Sequence, residues 1–283
     1  MTEASFYEKH GTDVKCLLCP HNCSITDGAA GICGVRKNIG GVLYAEGYGQ
    51  VSSMAVDPVT KKPLFHFHPD KKILSIGSYG CNLRCPFCQN HSISMERPPC
   101  RYTAPDELAD LAVKHVPSGN IGAAYTYNEP FINYEYLLDC AKEIKKRGLK
   151  NVLVTNGFIS AEPLNKILPV VDAMNIDLKS FDESFYKRIG GRLDAVKETI
   201  VTSIGACHVE VTTLIIPGLN DGDGEIAALA GWLASVDDGC PLHISRFFPR
   251  YRMAENETTP RATIDRLAGI AGKYLKYVYK GNV

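Results

Sequence analysis

From residue 72 onward, short β-branched runs alternate with amphipathic stretches, and that alternation restricts the chain to a parallel α/β architecture. Strands are expected at 72–78 (KILSIGS), 121–126 (IGAAYT), 151–155 (NVLVT), 173–178 (AMNIDL), 209–216 (VEVTTLII) and 242–247 (LHISRF), with a further one at 276–280 (KYVYK). The helical stretches between them carry readable punctuation. Thr103 and Asp106 open PDELADLAVKHV as a capping-box variant, Pro130 begins the next helix and Gly148 stops it, and Asp194 can cap AVKETIVTSIG. Successive strand–helix units with right-handed crossovers build a parallel sheet. Six units are too few for an eight-fold barrel, so the expected fold is α/β: a partial (βα)6 TIM-like barrel, with a doubly wound open sheet as the alternative. The first 70 residues differ, being cysteine-rich (CLLCPHNC) and hairpin-like (GGVLYAEGYGQ). The expected division is therefore a small N-terminal subdomain over 1–70 and a core domain over 71–283.

The unusual residues fall where such strands end. The first is followed by GCNLRCPFCQN, the second by YTYNEP, the third by TNG, the fourth by DLKSFD, the fifth by PGLND and the sixth by RFFPRY. In parallel α/β folds that rim binds ligands. Polarity of the loops alone is ordinary; three cysteines within eight positions of the first loop are not.

Composition narrows the chemistry. Lys plus Arg and Asp plus Glu both number 31, so no net field attracts a polyanion, and a nucleic acid partner is not expected. No apolar run reaches the roughly 20 residues that span a bilayer, and the N-terminus lacks a hydrophobic signal core, so a cytoplasmic protein without membrane association is expected. In that compartment thiols stay reduced, and the 11 cysteines point to metal ligation before disulfides. Cys81, Cys85 and Cys88, spaced C-x3-C-x2-C, are one ligand short of a closed zinc site, for which His91 is the nearest addition. They are equally one short of a fully ligated iron–sulfur cube, and a cube held by three thiolates leaves one iron open to an amino-acid-like cofactor. Cys16, Cys19, Cys23 and Cys33, with His21 as a substitute, form a second candidate metal set, zinc or iron–sulfur, that would staple a subdomain with little core. His66 and His68 in KKPLFHFHP are candidates for the substrate mouth, and His243, within a strand, reads as a core histidine.

The C-x3-C-x2-C loop after the first strand, with Phe87 just before its last cysteine, resembles the radical S-adenosylmethionine superfamily. Within it the chain is most similar to the pyruvate formate-lyase activating enzyme branch. VDPVTKKPLFHFHP (56–69), GSYGCNLRCPFCQNHSIS (77–94) and YTYNEPFI (125–132) resemble the AmmeMemoRadiSam-system radical enzymes. The resemblance implies a [4Fe–4S] cluster on Cys81, Cys85 and Cys88, with S-adenosylmethionine chelating the fourth iron. It implies cofactor contacts from Phe87, Asn128, Glu129, Thr155, Asn156, Asp177 and Lys179, the last pairing with the methionyl carboxylate. Tyr127 and Asn128 stand where the family carries two glycines, so their side chains must point away from the cofactor. Val154 replaces an aspartate common in the activating enzymes, and the histidine after their sixth strand is missing from SRFFPRY. The implied activity is reductive cleavage of S-adenosylmethionine to a 5′-deoxyadenosyl radical that abstracts hydrogen from a substrate. The implied partners are a low-potential donor of flavodoxin or ferredoxin type and a protein substrate or pathway partner. Activation of a glycyl-radical enzyme is the alternative activity, and a zinc-stapled, non-catalytic scaffold the alternative class.

Overall fold

Segments rich in Val, Ile, Leu and Ala can be buried on both faces of a parallel sheet, and the central sheet is made of them. The computed structural model describes all 283 residues. Eight strands lie side by side in the order Ser53–Pro58, Lys72–Gly77, Asn120–Tyr125, Lys150–Thr155, Ala173–Asp177, His208–Ile215, Leu242–Arg246 and Val278–Gly281. Seven run parallel, and the first pairs antiparallel with Lys72–Gly77. The first and last strands do not pair with each other, so the sheet curls without closing. This is the expected partial barrel, with its six units, the further strand near the C-terminus and one antiparallel edge strand. No helix is long and apolar enough to cross a membrane.

Three expected helix starts are shifted: Pro130 opens a short 3-10 turn, Pro130–Asn133, and the α-helix follows it from Tyr134 to Lys146. The helix Pro105–Lys114 is preceded by Ala104, and Thr103 caps nothing. Thr103 is buried, donating its N–H to the Gly49 carbonyl (2.9 Å) and accepting from the Tyr136 hydroxyl at its own (2.8 Å). Asp194 lies inside the first turn of Leu193–Ile204, where its carboxylate accepts from the Ala195 N–H (2.8 Å). Gly148 ends its helix as expected, in the left-handed conformation.

The N-terminal module consists of small antiparallel sheets over residues 2–45. Its expected boundary at residue 70 moves back, because Ser53–Pro58 is a strand of the central sheet. A buried ion pair fastens the module to the core: Arg36 meets Glu135 at 3.1 Å and also donates to the Ser5 carbonyl, while Ser5 N–H donates to Glu135 (2.7 Å). Both terminal guanidinium nitrogens and the carboxylate are engaged, while Arg36 Nε is buried without a partner, so the pair offsets most of the desolvation penalty of an isolated buried charge.

Residues 59–67 cross the bottom of the barrel, at the N-terminal ends of the strands. Val59 and Leu64 pack there against Ile73, Val152 and Ala173. Glu210, fully buried near the start of its strand, accepts from the N–H groups of Phe65 (3.0 Å) and His66 (2.7 Å) and contacts the rings of His208 (2.9 Å) and His243 (2.6 Å). His66 and His68 therefore lie at the end opposite the ligand-binding rim, and the expectation of a substrate mouth there is corrected. The alternating histidines mark the plug of the barrel. His243 is the core histidine expected.

Burial alone would raise the Glu210 carboxyl, but its hydrogen bonds to the two histidines and the two backbone N–H groups outweigh burial and hold it down at about 2. A carboxyl depressed in the folded state stabilises the fold above its unfolded pKa near 4.5, and that stabilisation is lost as pH falls toward 2. Glu210→Ala, which strands the donors, is expected to lower unfolding free energy by about 3–5 kcal/mol. Denaturant titrations at pH 7 and pH 3 check both statements: wild type should weaken toward pH 3, and the variant should weaken less.

Candidate functional site

At the opposite end, the loops after successive strands surround a cavity of about 270 Å³. Cys81, Cys85 and Cys88 open onto it from the first loop, with Phe87 beside them. Asn128 and Glu129 enter from the second loop, Thr155 and Asn156 from the third, and Asp177 and Lys179 from the fourth. All ten expected site residues thus line one cavity. Thr212, Leu214 and Ser245 line it as well and were not expected, since nothing in their sequence context separates them from ordinary strand residues.

The cavity wall is built from a connected set of polar contacts. Glu129, 3% exposed, accepts from the Thr155 hydroxyl (2.7 Å) and from the N–H groups of Asn156 (2.8 Å) and Phe131 (3.0 Å). Burial raises its carboxyl to about 7 against the pull of those donors. Asn156 donates to the Asn82 side chain (2.9 Å) and lies 3.6 Å from the Cys81 sulfur. Asn128 accepts from Ser78 N–H (2.9 Å) and donates to the carbonyls of Tyr79 and Gly80 (both 3.1 Å), pinning the segment that leads into Cys81. Its side chain faces the cysteine loop, as the replacement of a glycine there demands.

Tyr127 solves the same problem by a different route. It holds φ 71°, a left-handed conformation uncommon for a bulky residue. Its hydroxyl donates to Asp57 (2.9 Å), which also accepts from the buried Lys62 ammonium (2.8 Å) and pairs with Lys61 (3.5 Å), and the Lys62 ammonium lies 4.9 Å from the centre of the Tyr127 ring. Burial would raise Asp57, but hydrogen bonds from Lys62 and Tyr127 dominate and hold its carboxyl at about 2. The VDPVTKK segment thus has a definite task, which its sequence alone does not disclose: it anchors the ring and hydroxyl of Tyr127, a residue that also lines the cavity.

Lys179 donates to Asp177 at 2.7 Å. Burial opposes its charge, yet Asp177 and Cys85 outweigh it and hold the ammonium above the ordinary lysine range. Asn220, from PGLND, fixes this loop by donating to the carbonyls of Lys179 and Leu214 (both 2.8 Å). The PGLND turn thus braces the Lys179 loop. Phe87 is buried against Phe185, with ring centres 6.0 Å apart.

The three loop thiols are free, and burial pushes Cys85 up to about 11 despite the pull of Lys179, and Cys81 higher still. Such thiols ionise when a cation supplies the compensating charge, which suits metal ligation. A cube presents a separate iron to each sulfur, which suits three thiols that open side by side onto one cavity. Of the other expected ligand set, Cys16 packs with the main core and Cys33 beside Val35, Tyr79 and Ile132.

The sequence profile of the radical SAM superfamily matches residues 75–230, which hold the cysteine loop and the next four rim loops. The chain belongs to the radical SAM superfamily. As a radical SAM enzyme it cleaves S-adenosylmethionine reductively at a [4Fe–4S] cluster, yielding a 5′-deoxyadenosyl radical that takes hydrogen from a substrate. It is 42% identical to an uncharacterized protein of Methanocaldococcus jannaschii over 100% of this chain and 86% of that one. It is 26% identical to the pyruvate formate-lyase-activating enzyme of Clostridium pasteurianum, over 56% of this chain and 67% of the relative. Among solved structures, a radical SAM methyltransferase from Sphaerobacter thermophilus shares the fold, with TM-score 0.55 and 18% identity over 76% of this chain and 67% of that one.

Removing the Asn128 side chain should loosen the radical SAM cysteine loop, since it leaves buried partners of about 1–3 kcal/mol each unsatisfied. Asn128→Ala is expected to raise amide hydrogen exchange at residues 78–81 and lower iron retained after reconstitution, with the barrel strands unaffected. Exchange mass spectrometry and iron counting check this.

Proposed function

We propose that Cys81, Cys85 and Cys88 ligate three irons of the cluster and that the cavity beside them receives S-adenosylmethionine. The observation that carries this reading is the opening of three free thiols onto one rim cavity that also presents Lys179 and Glu129. The Lys179 ammonium suits the methionyl carboxylate, and the loop 126–129 offers backbone carbonyls to the methionyl ammonium. Phe87 shields the cluster edge from water. Asp177 orients Lys179, while Glu129, Thr155 and Asn156 hold the loops that shape the cavity. The cluster supplies the electron for sulfonium cleavage; the chain's own part is to bind, orient and exclude solvent. Its electron donor is of flavodoxin or ferredoxin type, and its hydrogen donor is a protein or pathway partner. The N-terminal module over residues 2–45, with Cys16, Cys19, Cys23 and Cys33, can carry a second centre.

Activation of a glycyl-radical enzyme is the second reading. It rests on the similarity to the Clostridium pasteurianum activating enzyme and on the rim of an unclosed sheet, which a loop of a partner protein could approach.

Reconstituted wild type is expected to form 5′-deoxyadenosine from S-adenosylmethionine under reduction, and Cys85→Ala to form none and to lose about four irons. Lys179→Ala should retain the iron but weaken S-adenosylmethionine binding by about tenfold or more, as befits loss of one charge-assisted contact of about 1.5–3 kcal/mol. Chromatography of the nucleoside, iron analysis and the binding isotherm are the measurements. Full iron and full cleavage in Cys85→Ala would remove the assignment.

A further inference from the structure

Behind the cysteine loop lies a second cavity, of about 330 Å³, separated from the first by Ser94 and Met95, which line both. Three guanidinium groups line it, from Arg84, Arg97 and Arg252, against the single carboxylate of Glu96. In a chain of zero net charge this is a local feature, not a reflection of composition.

The three arginines are differently engaged. Arg84 donates to the Cys81 carbonyl (2.6 Å) and to the Leu83 carbonyl (3.0 Å), and it reaches the Ile32 carbonyl of the N-terminal module. It therefore rests directly on the backbone of a cluster-ligating cysteine. Arg97 lies over the Tyr79 ring at 5.2 Å, is 67% exposed, and has its nearest carboxylate, Glu46, at 4.0 Å. Arg252 is exposed and lies over the Tyr251 ring at 5.2 Å. Aromatic stacking holds both planar heads while leaving their donors open. The Tyr79 hydroxyl, on a side chain 3% exposed, lacks a hydrogen-bond partner. Gly80, at φ 82°, allows the module to close against the loop: a Cβ there would lie 2.5 Å from the Cys33 carbonyl oxygen.

Position decides the use. The cavity with Lys179 and Glu129 holds the reacting cofactor, so an electron must reach the cluster without displacing it. Electron transfer weakens steeply with distance, and this basic cavity is lined by Gly80, the residue before Cys81, and by Arg84, which donates to the Cys81 carbonyl. We propose that Arg84, Arg97 and Arg252 form the docking surface for an acidic one-electron donor protein of flavodoxin or ferredoxin type. The proposal rests on the assignment of the cluster to Cys81, Cys85 and Cys88. In the step it serves, the reduced donor is oxidised by one electron, the cluster is reduced by one, and no atom or proton is transferred. The positive patch steers the donor and sets its orientation, and salt weakens it.

The test uses the reconstituted full chain, the double variant Arg97→Glu/Arg252→Glu, and a charge reversal placed elsewhere, Arg101→Glu. The dissociation constant for purified oxidised flavodoxin, and separately for ferredoxin, is measured at about 50 and about 300 mM salt. The rate of 5′-deoxyadenosine formation is measured with each reduced protein and with photoreduced 5-deazariboflavin, a small neutral reductant. The double variant is expected to bind at least one of these proteins about tenfold or more weakly at low salt, with its salt dependence largely gone. Its rate should fall with that protein and match wild type with deazariboflavin, while Arg101→Glu behaves as wild type throughout. Unchanged binding in the double variant overturns the proposal, as does a wild type that binds neither protein at low salt. Equal loss of rate under both kinds of reductant also overturns it, assigning the cavity to a small anionic reactant. Binding that depends on Arg97 and Arg252, with no cleavage under any reductant, upholds the docking surface and removes the cluster assignment instead.

Discussion

One buried carboxylate holds the rim together. Glu129 accepts from the loop after the third parallel strand and from its own loop, so it fixes two elements that the backbone alone leaves independent. Asn156, whose backbone it grips, reaches on to Asn82 and the Cys81 sulfur, and Asn128 ties down the approach to the same cysteine. The position of the first thiol is thus determined through side chains from three loops. Loops cannot gain such rigidity from hydrophobic burial, because their backbone polar groups need partners. A carboxylate with several acceptor sites is an economical hub.

The barrel's other end is built on the same plan. Glu210 collects two backbone N–H groups and two histidines, and so closes the bottom with the 59–67 segment. Between the two polar knots further polar groups pair, Lys62 and Tyr127 with Asp57 and Thr212 with Asn175. The two carboxyls differ in consequence: the donors around Glu210 hold it low, whereas burial dominates at Glu129 and lifts it to about 7. Only the upper one lies beside a ligand cavity, where a group that changes charge near neutrality has a use.

Much of this was legible in the sequence. Strand positions followed from β-branched runs, because burial on both faces imposes one composition, and the cysteine spacing pointed to the first rim loop. What stayed hidden depends on contacts between distant segments. Nothing in KKPLFHFHP distinguishes a plug from a mouth until the register of Glu210 is known. Thr103 had the residue type of a cap, but its backbone is committed to Gly49 and Tyr136. Arg84 is the converse case: an unremarked residue between two cysteines that joins the N-terminal module to the cluster loop.

Tyr127 departs from the family's glycine, yet its hydroxyl is received by Asp57, 70 residues earlier in the chain, together with Lys62. The three side chains therefore form one unit whose parts do not vary independently. Restoring glycine at 127 alone would leave Asp57 and Lys62 facing a void, and altering Lys62 alone would free an aromatic ring held in a left-handed backbone. In a double-mutant cycle, Tyr127 and Lys62 would show nonadditive energies. Grafting either motif into a relative without its counterpart would transplant half of a mechanism.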